Sequence, residues 1–99
     1  MTQDMVTLGR VVLSLAGRDK GRAFLITGTA DEKHVLLVDG VTRKLAKPKK
    51  KKLMHLKAEK AVAENVAAKL RDGTGLNDAD ARKALVSLGY NSDAEKQEG

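Results

Sequence analysis

Apolar and polar positions follow two different rhythms along this chain. In the first half the apolar residues come in short Val/Leu-rich runs. LGRVVLSLA (8–16), closed by Gly17, and RAFLITGTA (22–30) both read as β-strands. Between them GRDKG has a glycine at each end and charges in the middle, the composition of a hairpin turn. Gly17 and Gly21 supply positive φ there, and Asp19 accepts a bond within its own turn. DEK (31–33) marks a second polar turn. HVLLVDG (34–40) reads as a third strand, with His34 at its start and the turn pair Asp39-Gly40 at its end. RKLAK (43–47) alternates charged and apolar residues and reads as a fourth strand, which Pro48 interrupts. LMHL (53–56) reads as a short fifth. The predicted core is Val11, Leu13, Leu15, Phe24, Ile26, Leu36 and Val38.

From residue 58 the rhythm changes to the helical one. Val62, Val66 and Leu70 recur at i, i+4 and i+8, flanked by Ala63 and Ala67, which predicts a helix over 58–71. Gly73 and Gly75 end it. Asn77 followed by Asp80 has the spacing of a capping box. Ala81, Ala84, Leu85 and Leu88 then form a second apolar stripe, stopped by Gly89. The expected organisation is a strand-rich basic unit over 1–57, a helical extension over 58–89 and a disordered polar tail over 90–99. The fold class is mainly β: a small barrel, which closes without exposed edges, followed by one or two helices.

Composition narrows the function classes. In 99 residues there is one Phe, one Tyr and no Trp, so Val, Leu and Ala must fill the interior. The absence of cysteine excludes disulfides and thiolate metal sites and suits a reducing, cytoplasmic setting. No apolar run approaches the ~20 residues of a membrane span, and MTQDMVTLGR carries no secretory pattern. His34 and His55 are too isolated for a metal site, and no nucleophile–base or carboxylate pair stands out, so neither enzyme activity nor a cofactor is expected. The net charge of +6 is uneven: residues 1–60 hold 14 Lys/Arg against 6 Asp/Glu (+8), and residues 61–99 hold 5 against 7 (−2). Basic and near-neutral parts therefore sit side by side, and the basic part points to a polyanionic partner, nucleic acid first and anionic lipid second; the helical part is expected to stabilise or partner the barrel.

Two basic segments carry the candidate chemistry. AGRDKGR (16–22) presents Arg18, Lys20 and Arg22 on a turn whose rigid rim suits phosphate contact. KPKKKK (47–52) holds Lys47, Lys49, Lys50, Lys51 and Lys52, a density that like-charge repulsion makes hard to justify for folding alone. Arg43 and Lys44 extend the surface between them. The lysine run also has the form of a nuclear-import signal, as any run of this length does. Phe24 is the only aromatic in the basic half and belongs to the core. Recognition is therefore expected to rest on phosphate, sugar and shape, since base-stacking platforms are missing.

GRVVLSLAGRDKGRAFLITGT resembles the KOW motif, with Gly21 at its central glycine. The continuation VLLVDGVTRKLAKPKKKKLMHL is similar to the small KOW-domain RNA-binding proteins of the eukaryote-type large-subunit ribosomal protein group. The resemblance spans about residues 8–56. It implies an SH3-like β-barrel and binding to structured, ribosomal RNA. KOW domains also serve in transcription elongation factors, so a transcription-associated adaptor that uses the barrel for protein contacts is the alternative. Phosphate binding would weaken steeply with salt, and an apolar protein interface would not. A membrane-surface role is less well supported, because no basic amphipathic helix accompanies the lysines. ALVSLGYNSDAE (84–95) faintly resembles the helix–LGY turn of ubiquitin-associated-type modules; a helix capping the barrel explains it more simply.

Overall fold

The computed structural model describes residues 7–92. Five strands, β1 (Arg10–Ser14), β2 (Ala23–Thr29), β3 (His34–Val38), β4 (Lys49–Lys52) and β5 (Leu56–Val62), form one antiparallel sheet. Its order is β4-β3-β2-β1-β5. Two helices follow, α1 (Glu64–Asp72) and α2 (Asp78–Ser87).

β4 and β5 are the two edges, yet only a single 3-10 turn, Leu53–His55, joins them. Three residues span little more than ~10 Å, so the sheet must coil until its edges approach at that corner. The turn is fastened at both ends. Leu53 N–H donates to the Lys33 carbonyl (2.8 Å), and Leu15 N–H donates to the His55 carbonyl (2.8 Å). Register shifts between Arg10 and Val12 against β5, and between Ile26 and Gly28 against β3, provide the local bends. No β4–β5 ladder forms, so the sheet is strongly coiled but not a closed barrel.

Coiling buries both faces. One encloses Val12, Phe24, Ile26, Val35, Leu37 and Leu56. The other packs Val11, Ala23, Leu25 and Val38 against Ala63, Val66, Ala81, Ala84 and Leu85 from the helical part. A period-2 reading selects one set of alternate positions in each strand, here from different sheet faces in different strands, and therefore misses half of this core. Val11, Phe24, Ile26 and Val38 are buried as expected, but Val12, Leu25, Val35 and Leu37 are equally so. Leu13 and Leu36 are half-buried, and Leu15, beyond the end of β1, is exposed.

Three segments differ from the pattern. RKLAK (43–47) is loop, not strand, because its backbone donors are taken elsewhere. Arg43 N–H goes to Asp39 Oδ1 (2.8 Å) and Leu45 N–H to Asp78 Oδ1 (2.7 Å). The fourth strand is the lysine run itself, paired residue by residue with β3 from Leu37↔Lys49 to His34↔Lys52. LMHL is the 3-10 turn, with only Leu56 entering β5. Residues 58–62 extend β5 along β1, with Val12↔Ala58 and Arg10↔Val62. Their Ala/Glu/Lys content favours helix, but the unpaired edge of β1 overrides propensity. The helix therefore starts at Glu64 and ends in the left-handed Gly73.

The Asn77–Asp80 capping box forms on α2. Residues 90–91 belong to the fold rather than to a tail. Tyr90 Oη donates to Glu59 Oε1 (3.0 Å), and Asn91 both donates to and accepts from the Ala23 backbone (2.8 and 3.1 Å). The remainder of the expected tail, 93–99, lies outside the described residues.

Candidate nucleic-acid interface

In an antiparallel meander the β1–β2 and β3–β4 connections leave from the same end. The sheet thus sets residues 15–22 beside residues 39–48, although some twenty positions separate them in sequence. The β1–β2 turn is built as its composition suggests. Gly21 N–H donates to the Ser14 carbonyl (2.8 Å), Arg22 N–H to the Asp19 carbonyl (2.8 Å) and Lys20 N–H to the Gly17 carbonyl (3.2 Å). Gly21 has φ +86°, a conformation that disfavours any side chain, although a Cβ there would touch nothing.

Three ties fix this turn to its neighbours. Lys51 Nζ donates to the Ala16 carbonyl (2.9 Å), which brings the lysine strand against the hairpin. Arg43 lies 3.8 Å from the Asp19 carboxylate, so that side chain faces across to the second loop instead of closing its own turn. Arg22 Nε donates to Asp39 Oδ2 (2.6 Å).

Asp39 organises the second loop. Its side chain is fully buried. Oδ1 accepts from the backbone of Val41 (2.9 Å), Thr42 (2.8 Å) and Arg43 (2.8 Å), while Oδ2 accepts from the Thr42 hydroxyl (2.7 Å) and Arg22. Burial pushes its pKa up, but the bonds from Arg22, Arg43, Thr42 and Val41 outweigh this and hold the carboxyl below its ordinary value of 3.8. Gly40 completes the corner at φ +79°. A Cβ there would strike the Asp78 carbonyl oxygen and come within 2.8 Å of the Arg82 nitrogen, so the loop presses directly on the start of α2.

This geometry sorts the ten candidate cations. Arg18, Lys20, Lys44 and Lys47 are exposed on the two loops, and none is paired with a carboxylate among the described residues. Arg22 and Arg43 serve as struts within the site, bound to Asp39 and Asp19. The β4 lysines split between the two faces of their strand. Lys49 and Lys51 are half-buried opposite Leu37 and Val35 on the enclosed face, and Lys51 is committed to Ala16. Lys50 and Lys52 are exposed on the other face, and Lys50 lies 3.9 Å from Asp31 at the far end of the sheet. The ten residues therefore do not make one surface. Arg18, Lys20, Lys44 and Lys47 lie exposed on the two loops that the Lys51–Ala16 and Arg43–Asp19 contacts join.

Sequence reasoning found the segments but not these pairings, because Asp39 and Asp19 read locally as turn residues. Among the described residues no group of three or more His, Asp or Glu is arranged to hold a metal ion. No helix there is long and apolar enough to cross a membrane. No protein-family model matches the chain, and no curated protein matches it.

Proposed function

We propose that this chain is an RNA-binding module of the SH3-like KOW type, which grips the phosphate backbone of structured, ribosomal RNA in the cytoplasm. The resemblance of residues 8–56 to KOW-domain ribosomal proteins supports the class. The strand order β4-β3-β2-β1-β5, with a 3-10 turn joining the two edges, supports the SH3-like reading. The observation that carries the function is the Lys51–Ala16 bond together with the Arg43–Asp19 pair. They join two basic segments remote in sequence into one rim that leaves Arg18, Lys20, Lys44 and Lys47 exposed. Cations held on a rigid rim, without carboxylate partners among the described residues, suit an extended array of phosphates. The two helices pack behind the sheet and take no part in this contact.

The test is the salt dependence of binding to a labelled RNA hairpin. Each neutralised phosphate contributes roughly 0.7–0.9 to the slope of log K against log salt, so changing Arg18, Lys20, Lys44 and Lys47 to Ala is expected to flatten it by about 3 units. Binding should weaken alike across sequences. An unchanged slope in a folded variant would overturn this site.

A further inference from the structure

Three large apolar side chains are exposed among the described residues, and two of them lie on segments that a backbone hydrogen bond joins beside the basic rim. Met54 is 75% exposed and Leu15 is 49% exposed. Leu53 packs onto the enclosed core and Leu56 is buried in it, which leaves Met54 outside at the tip of the 3-10 turn. Leu15 is joined to that turn by its N–H bond to the His55 carbonyl (2.8 Å). Leu15 also directly precedes Ala16, whose carbonyl holds the Lys51 ammonium. Arg18 and Lys20 follow on the same loop, Lys52 precedes the turn, and Lys57 follows it, 64% exposed.

We propose that Leu15 and Met54 form an apolar seat for an unpaired base of the RNA whose phosphates the neighbouring loops hold. This rests on the RNA-binding reading above and narrows its ligand to a helix interrupted by a bulge or loop. Chemical complementarity selects this occupant. A ligand at this rim must bring dense negative charge to Arg18 and Lys20 and, within a few residues, an apolar surface to Leu15 and Met54. An unstacked nucleotide does both, with phosphate on one side and a flat, weakly hydrated base on the other. A continuous duplex offers phosphate, sugar and the polar edges of its bases, with their flat faces stacked inside. Aliphatic side chains, Leu and Met among them, contact unstacked bases elsewhere as wedges, and Met adapts its shape to a planar surface.

The experiment compares a short RNA hairpin carrying one bulged adenosine with the same hairpin fully paired, each titrated with the full chain. Wild type is expected to bind the bulged hairpin roughly tenfold tighter, the effect of covering part of two apolar side chains. Leu15→Gln with Met54→Gln should abolish that preference while leaving affinity for the paired hairpin and the salt slope unchanged. Met54→Leu should retain it. Both positions are on the surface, so the double variant keeps its fold. Equal, salt-sensitive binding of both hairpins by wild type would overturn the seat and leave the phosphate rim standing; an acidic amphipathic peptide would then be the better occupant. A preference that survives in the double variant would also overturn it, by placing the base elsewhere. Failure to bind either hairpin at low salt would overturn this proposal and the RNA-binding reading together.

Discussion

At Asp39 a buried carboxylate receives five hydrogen bonds, and every donor comes from a loop of the candidate interface. Asp39→Ala would remove the acceptor of three backbone N–H groups and of the Thr42 hydroxyl, together with the Asp39 carboxylate that the Arg22 guanidinium faces. Breaking a buried pair on one side costs about 3–5 kcal/mol, a loss that urea unfolding should register. The pH dependence follows from the direction of the shift. Because the folded pKa lies below the unfolded one, the stabilisation is complete above the unfolded value and is lost as pH falls through the folded value. Asp39→Asn should therefore flatten the acid limb of the stability–pH curve, to which Asp31 and Asp80, also lowered but at the surface, contribute in the same sense. An acid limb as steep as that of wild type would show that Asp39 does not couple folding to protons. Ile26 tests the apolar interior. It is fully buried in the enclosed cluster, and Ile26→Ala should cost about 2–5 kcal/mol; a loss below ~0.5 kcal/mol is what a surface position gives.

β4 shows what a sequence pattern conveys about an element and what it does not. The β1–β2 and β2–β3 connections, the Asp39-Gly40 stop and the Asn77–Asp80 cap were legible because local chemistry decides them. Glycine at positive φ, Asx turns and reciprocal capping need no distant partner. Four consecutive lysines have weak strand propensity and read as a charge run. They become a strand because the outer edge of β3 offers unpaired backbone groups and Pro48 delivers the chain to it extended. β5 was hidden for the same reason in reverse, since a helix-favouring sequence yields to the free edge of β1. The candidate site was legible as two basic segments. The roles of Arg22, Arg43 and Lys51 as internal ties were not, because their partners lie 17 to 35 positions away. Placing lysines on an exposed edge has a second consequence, which is to discourage strand addition from another chain. Lys50→Val with Lys52→Val should keep the monomer fold but promote concentration-dependent association, readable by light scattering. A variant that associates no more than wild type at high concentration would show that the edge needs no such protection.

For the molecule as a whole, the division between a barrel and a helical appendage does not follow the packing. Val11, Ala23, Leu25 and Val38 of the sheet share one cluster with Ala63, Val66, Ala81, Ala84 and Leu85, and Leu13, Leu45, Leu70, Leu76 and Tyr90 close around it. The sheet is thus sandwiched between its own coil on one side and the two helices on the other. A chain ending at Leu56 would lose nearly all of β5, and with it the ladder along β1. It would also expose the sheet half of that cluster. A domain of this size is marginal even when complete, and the burial of Val11, Leu25, Val38, Val66 and Leu85, at ~1.5–3 kcal/mol each, is comparable with the 5–15 kcal/mol by which such domains are stable. The truncated chain is therefore expected to lack a cooperative urea transition and to bind a hydrophobic dye as a loosely packed state does. Binding of RNA by such a chain would reflect its charge alone and should not distinguish Gly21→Val from the wild-type turn, whereas in the full chain Gly21→Val should weaken binding by distorting the rim. A sharp unfolding transition in the truncated chain would show that the strands fold without the helices, and would return the helical part to the status of a separate appendage.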